Sequence, residues 1–276
     1  MSRNLKLTLA YDGTDFNGWQ IQPGQPTIQG TLAECLRRIT GEEVLPQGSG
    51  RTDAGVHALG QVASFALESP IPESGLMTAL NDTLPQSIRV LSIVQVDAGF
   101  HARHSAKAKT YQYRIFRGDV CPPFLARYAF HDPYPMNEEA IIRATESLVG
   151  THDFTSFAAS DPDRSARIAA GQAPTQPKEG WMGHPQADAD DTATPPSNVR
   201  TIHSALWART KEELSLTVRG DGFLHHMVRN LVGTLLQVGK GSLRVDDIAH
   251  ILECRDRSAA GPTAAARGLY LVSVEY

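Results

Sequence analysis

The chain has 276 residues, 41% of them hydrophobic, which suits one large or two small globular domains with a real core. No run of about twenty apolar residues exists, so no membrane span is expected, and Met1-Ser2-Arg3-Asn4-Leu5-Lys6 lacks the apolar stretch of a secretory signal. Cys35, Cys121 and Cys254 are too far apart for a zinc ribbon or a disulfide framework, which points to a reducing, cytoplasmic setting, and the net charge of −4 argues weakly against a nucleic-acid partner.

Leu5, Leu7, Leu9 and Tyr11 alternate as a half-buried strand should. Thr27 to Ile39 follows as a helix, with Ile28, Leu32, Cys35, Leu36 and Ile39 on its apolar stripe and Arg37 and Arg38 near its C-terminal end. Gln61 to Leu67 is a strand. Ser74 to Leu84 is a short helix with Ser74 as its cap and Pro85 beyond its end, and the β-branched run Ile88 to Val96 is a strand. In the second half, Lys107 to Phe116 is a strand, and Asn137 to Val149 a helix capped by Asn137 and stopped near Gly150. Val199 to Ala208 and Leu214 to Arg219 pair as strands. Gly222 to Val238 is the longest helix, Asp246 to Glu253 a short one, and Leu269 to Glu275 a strand. Strands and helices do not alternate as parallel βαβ units do, so the expected class is α+β, with a largely antiparallel sheet and helices on one face.

Ala158 to Ser197 breaks the pattern. It contains no Val, Leu, Phe or Tyr and holds six of the chain's 17 prolines. Such a stretch buries too little apolar surface to order itself, and a mobile surface loop is expected there.

The distribution of charge matters more than its sum. Ala98 to Gly118 contains no acidic residue but carries Arg103, Lys107, Lys109, Arg114 and Arg117, with His101 and His104. A second acid-free stretch, Thr192 to Lys211, holds Arg200, Arg209 and Lys211. Charge runs are usually solvated faces, but here the basic residues interleave with aromatics, a pattern that favours RNA.

The run Gly48-Ser49-Gly50-Arg51-Thr52-Asp53-Ala54-Gly55-Val56-His57-Ala58 puts one carboxylate between glycines, beside an arginine, just before a strand. A carboxylate so placed can face a ligand without a bulky neighbour, although Asp-Ala-Gly taken alone is ordinary turn chemistry. The whole run resembles the signature loop of the tRNA pseudouridine synthases of the TruA family. Further blocks extend the resemblance in family order: Tyr11-Asp12-Gly13-Thr14 through Gly18-Trp19-Gln20 and Thr27-Ile28-Gln29-Gly30, then Phe100-His101-Ala102-Arg103, Lys109-Thr110-Tyr111-Gln112-Tyr113, Gly150-Thr151-His152-Asp153-Phe154, Phe223-Leu224-His225-His226-Met227-Val228-Arg229-Asn230 and Gly268-Leu269-Tyr270-Leu271-Val272. Relative to the family, 158–197 looks like an insertion.

The resemblance implies the pseudouridine synthase fold: two similar halves, 1–104 with the catalytic loop and 105–276, sharing one sheet with a central cleft. It implies a tRNA partner, modification of several neighbouring uridines at the foot of the anticodon arm, and a homodimer. The reaction is an isomerisation, so no cofactor and no metal are expected, in line with the lack of a Gly-x-Gly-x-x-Gly or Walker loop. Asp53 is the implied catalytic residue. Whether it adds to C6 of the base or C1′ of the ribose, or draws off the 2′ proton, the sequence leaves open.

Burial alone would neutralise such an aspartate, so a cation should face it. Arg229, flanking the stripe Leu224, Val228, Leu231 and Leu235, is the candidate, and the matching family arginine pairs with the aspartate; an ordinary rim salt bridge is the plainer reading. Arg51 is implied to fill the space left by a flipped-out uridine or to contact phosphate, against a structural role in pinning the loop. Tyr111 is implied to stack on the base and help remove the C5 proton, whereas Tyr113 fits a core tyrosine better. His225 and His226, taken as neighbours on a helix, diverge by about 100° and rarely share an ion. With His101 and His104, they are expected to bond RNA phosphate or satisfy local backbone. The rival readings are a non-catalytic tRNA-binding protein of the same fold and a glycoside hydrolase, which usually needs a second carboxylate that the Asp53 loop does not offer.

Overall fold

The structure is a computed structural model that describes residues 2–159 and 197–276. The expected loop over 158–197 therefore lies outside the described residues, apart from its first two residues and its last. The fold is mixed α+β, with a large, mostly antiparallel sheet and five α-helices among the described residues. The chain divides into two compact units. Met1–Tyr134, Trp207–Arg219 and Ala265–Tyr276 form the first, Pro135–Leu206 and Gly220–Ala264 the second.

In the first unit, β1 (Arg3–Tyr11) runs antiparallel to both β3 (His57–Leu67) and β4 (Ile88–Val96). β10 (Leu269–Glu275) lies between β3, to which it is parallel, and β5 (Ala108–Phe116), to which it is antiparallel. β9 (Glu213–Gly220) follows β5 in the sheet order, and the short β2 (Gln47–Gly48) and β6 (Phe130–His131) pair with β3 and β5. The alternation read in β1 is real: Leu5, Leu7 and Leu9 are fully buried while Lys6, Thr8 and Ala10 are half-buried. Each such leucine contributes about 1.5–3 kcal/mol of burial.

The helix α1 (Ile28–Thr40) begins where expected. The Thr27 hydroxyl accepts from the Gly30 amide, and Gly41 ends the helix in the left-handed region with its amide on the Arg37 carbonyl. The helix α2 (Glu73–Thr83) departs from expectation at its start. Pro72, not Ser74, holds the cap position, and no side chain closes the first turn. Glu73 instead adds negative charge to that turn and pairs with Arg3 at 3.1 Å.

In the second unit, β7 (Gly150–Asp153) pairs antiparallel with the first residues of β8 (Val199–Arg209). The Asn137 side chain caps α3 (Glu138–Glu146), as expected. α3 stops before Val149 because its end tightens, with Leu148 and Val149 donating to carbonyls only three residues back. α4 (Met227–Gly239) is buried nearly all round, with Arg229 and Gln237 the only members outside its buried set. It starts five residues later than the pattern suggests. His226 has a φ of 59°, and a residue in the left-handed region cannot belong to a right-handed helix. It is as long as α1 rather than longer. α5 (Asp247–Cys254) completes the set.

Candidate active site

The Gly48–Ala58 run forms the passage from β2 into β3. The Ser49 amide donates to the Val62 carbonyl at 2.7 Å, which continues the β2–β3 pairing by one residue before the chain leaves the sheet. β3 resumes at His57, four residues earlier than the sequence suggested. Between them, Asp53 opens a turn whose carbonyl accepts from the Val56 amide at 3.1 Å. The Asp53 side chain is half-buried, Arg51 is exposed, and Thr52 between them is buried.

Thr52 is the anchor. Its carbonyl accepts from the Trp19 amide at 3.0 Å, and its hydroxyl lies 2.8 Å from the Tyr11 hydroxyl. Gly18 allows this approach: its φ is +83°, and a Cβ there would come within 2.4 Å of the Thr52 carbonyl oxygen. This accounts for the Gly18-Trp19 block of the sequence in physical terms.

A chain of buried polar groups continues from Tyr11. The Gln61 amide nitrogen donates to the Gly50 carbonyl at 3.0 Å and reaches the Tyr11 hydroxyl at 3.4 Å, while its oxygen accepts from the Ser49 hydroxyl at 2.7 Å. From β5, the Lys109 ammonium donates to the Ser49 carbonyl at 2.6 Å. The loop carrying Arg51 and Asp53 is thus tied to β1, β3 and β5. Sequence reasoning missed this network. Tyr11, Thr52, Gln61 and Ser49 are scattered along the chain, and the one local signal was polar Gln61 at the head of the expected strand Gln61 to Leu67.

Tyr111 is buried on β5, and burial pushes its phenol well above the ordinary tyrosine value, with the charges of Tyr11 and Asp53 adding to the shift. The structure therefore brings Asp53 and Tyr111 within electrostatic reach of each other. Burial likewise pushes Tyr11 up to about 12, against hydrogen bonds from Thr52 and Gln61. Tyr113 is a core residue, fully buried, with its hydroxyl donating to the Ala265 carbonyl at 2.8 Å.

Arg229 belongs to the second unit. It is half-buried on α4, its Nε donates to the Ala264 carbonyl at 2.8 Å, and its own carbonyl accepts from the Ala264 amide at 3.1 Å. The first bond holds the side chain at Nε, and the second is backbone to backbone. His225 and His226 are not on a helix, so the divergence expected of helical neighbours does not apply; their ring centroids lie 3.9 Å apart. His101 satisfies local backbone, as expected, its Nδ1 accepting from the Arg103 amide at 3.1 Å. No helix of the described residues is long and apolar enough to cross a membrane.

The family model for tRNA pseudouridine synthase matches residues 8–105 and 186–276. A protein of Solibacter usitatus named tRNA pseudouridine synthase A is 47% identical over 274 residues, covering 99% of this chain and all of the relative. Proteins of the same name from Moorella thermoacetica and a Geobacillus species are 42% and 40% identical, each covering at least 99% of both chains. With Asp53, Tyr111 and the glycine-bounded loop seated as described, these likenesses show that the chain belongs to the tRNA pseudouridine synthase family.

Proposed function

We propose that this protein isomerises uridine to pseudouridine in the anticodon arm of tRNA, with Asp53 as the nucleophile. The observation that carries the reading is the seating of Asp53, on a turn fixed through both the carbonyl and the hydroxyl of Thr52, with the Tyr111 phenol in reach of its charge. The N-glycosidic bond breaks, the uracil turns, and a bond forms from C5 to C1′. The proton leaves C5 and N1 gains one, so atoms and electrons balance without a co-reactant.

A uridine stacked in a stem is out of reach, so the target is flipped out. Tyr111 stacks on the extruded base, and its phenol oxygen helps remove the C5 proton. Arg51, exposed two residues before Asp53, fills the vacated space or meets phosphate. Arg229, matching the family arginine that pairs with the aspartate, orients the Asp53 carboxylate. The family membership supports the tRNA substrate, and the resemblance supports a cytoplasmic homodimer and two similar halves, 1–104 and 105–276.

The test is incubation with an unmodified tRNA transcript, followed by mapping of pseudouridine. Product at the foot of the anticodon arm is expected from the native protein and none from Asp53→Asn. RNA bound but unchanged by the native protein would leave a non-catalytic tRNA-binding protein, and product from Asp53→Asn at the native rate would remove the nucleophile.

A further inference from the structure

The Tyr11-Asp12-Gly13-Thr14 block and His57, the tenth residue of the signature run, have no part in the chemistry above, yet they are built together. His57 is 1% exposed. Its Nδ1 lies 3.2 Å from the Gly13 amide and 3.2 Å from Asp12 Oδ1, and its Nε2 lies 3.1 Å from the Arg127 carbonyl. One face of its ring stacks on Tyr270 with centroids 4.8 Å apart, and Tyr128 lies at 5.5 Å.

The partners favour one tautomer. The Gly13 amide is a donor, and an Nδ1 without hydrogen accepts from it; Asp12 Oδ1, at the same 3.2 Å, is the acceptor that the other tautomer would use. The Arg127 carbonyl is an acceptor, which suits a hydrogen on Nε2. Burial holds the imidazole below the ordinary histidine value, against the charge of Asp12, the backbone groups of Arg127 and Arg267 and a hydrogen bond with the Asp12 carboxylate. Asp12 has other donors: the Thr14 amide at 3.0 Å, the Thr14 hydroxyl at 2.5 Å and the Tyr128 hydroxyl at 2.9 Å. Both of its oxygens are thus met by donors other than His57.

The Gly13 end of this clamp reaches the Asp53 turn. A Cβ on Gly13 would lie 1.9 Å from the Val56 carbonyl oxygen, so the two backbones touch. The Val56 amide is the group that closes the turn on the Asp53 carbonyl, and the Gly55 amide donates to the Phe16 carbonyl at 3.3 Å. Displacing Gly13 therefore displaces the turn that presents the carboxylate.

We propose that neutral His57, protonated at Nε2, is a positioning residue for Asp53, holding the Gly13 amide so that residues 12–16 buttress the 53–56 turn. The proposal rests on the reading of Asp53 as nucleophile. The two hydrogen bonds can be separated by substitution. His57→Asn keeps an acceptor near the Nδ1 position and loses the donor to Arg127, whereas His57→Gln keeps the donor and loses the acceptor for Gly13.

Single-turnover rates on tRNA, tRNA affinity and melting temperature are measured for both. His57→Gln should react about 10- to 100-fold more slowly with affinity unchanged within about twofold, and His57→Asn should stay within about threefold of the native rate. A native rate in His57→Gln, or equal losses in both variants that follow their melting temperatures, would overturn the proposal. The 15N shifts of the His57 ring in the native protein at pH 7 give a second measurement that needs no folded variant. The Nε2-protonated tautomer supports the proposal, and an Nδ1-protonated ring or an imidazolium refutes it. Asp53→Asn is run alongside. If that variant is inactive while His57→Gln is native, only the positioning role fails; if Asp53→Asn is itself active, the reading of Asp53 falls and takes this proposal with it.

Discussion

The hydroxyls of Tyr11 and Thr52 lie 2.8 Å apart, joining the last residue of β1 to the residue just before Asp53. Tyr11 is 4% exposed, so neither hydroxyl has water as a ready substitute for the other. Tyr11→Phe would leave the Thr52 hydroxyl and one bond of the Gln61 amide unmet. We expect a loss of about 1–3 kcal/mol in urea denaturation, with slower turnover from a loosened Asp53 turn.

The same tyrosine gives a pH signature. Burial raises it from 10.0 to about 12 in the folded chain. A group whose folded value is raised contributes stability that is whole below the unfolded value, about 10, and is lost as pH climbs toward 12. The alkaline loss over that window should be on the order of 2–3 kcal/mol for Tyr11, and stability curves of Tyr11→Phe should be flatter there than those of the native protein.

Gly18→Ala tests the same anchor from its other side. The added methyl meets the Thr52 carbonyl oxygen at 2.4 Å in a backbone conformation with φ +83°. Destabilisation beyond about 1 kcal/mol is expected in thermal or urea unfolding, with a loss of turnover on tRNA.

Arg229→Ala should reduce the single-turnover rate by two orders of magnitude or so while much of the tRNA affinity survives, since its proposed work is on a reacting carboxylate. Native turnover in that variant would end the role. Because the Arg229 Nε also holds the Ala264 carbonyl at 2.8 Å, melting temperature is measured beside the rate.

Tyr111→Phe keeps the ring and removes the phenol. Affinity should change little, and release of tritium from C5-labelled uridine in tRNA should slow. An unaltered release rate would leave Tyr111 with stacking alone.

Much of the fold was legible where neighbours in sequence carry the signal. The alternation from Leu5 to Tyr11, the Asn137 cap and the β-branched run of β4 all follow from contacts within a few residues. The Asp53 loop was legible as a motif. The sequence did not disclose what holds that loop, because Tyr11 and Thr52 are 41 positions apart and Ser49 and Lys109 are 60 apart. Ser74 failed as a cap because Pro72 already sets the extended backbone that precedes a helix, at φ −60° and ψ 153°. α4 began late because one histidine adopts a conformation that its chemistry does not announce.

β10 sits between β3 and β5, yet it comes later in the chain than both. The strand that the Asp53 turn leads into and the strand that bears Tyr111 become close companions in the sheet only when Leu269–Glu275 slides between them. During synthesis on the ribosome, a growing polypeptide short of that segment holds both residues without the wedge that sets their spacing. Asp53 and Tyr111 therefore reach their mutual placement only after Leu269–Glu275 has joined the sheet, so a product cut short of that segment is expected to be inert toward RNA rather than indiscriminate.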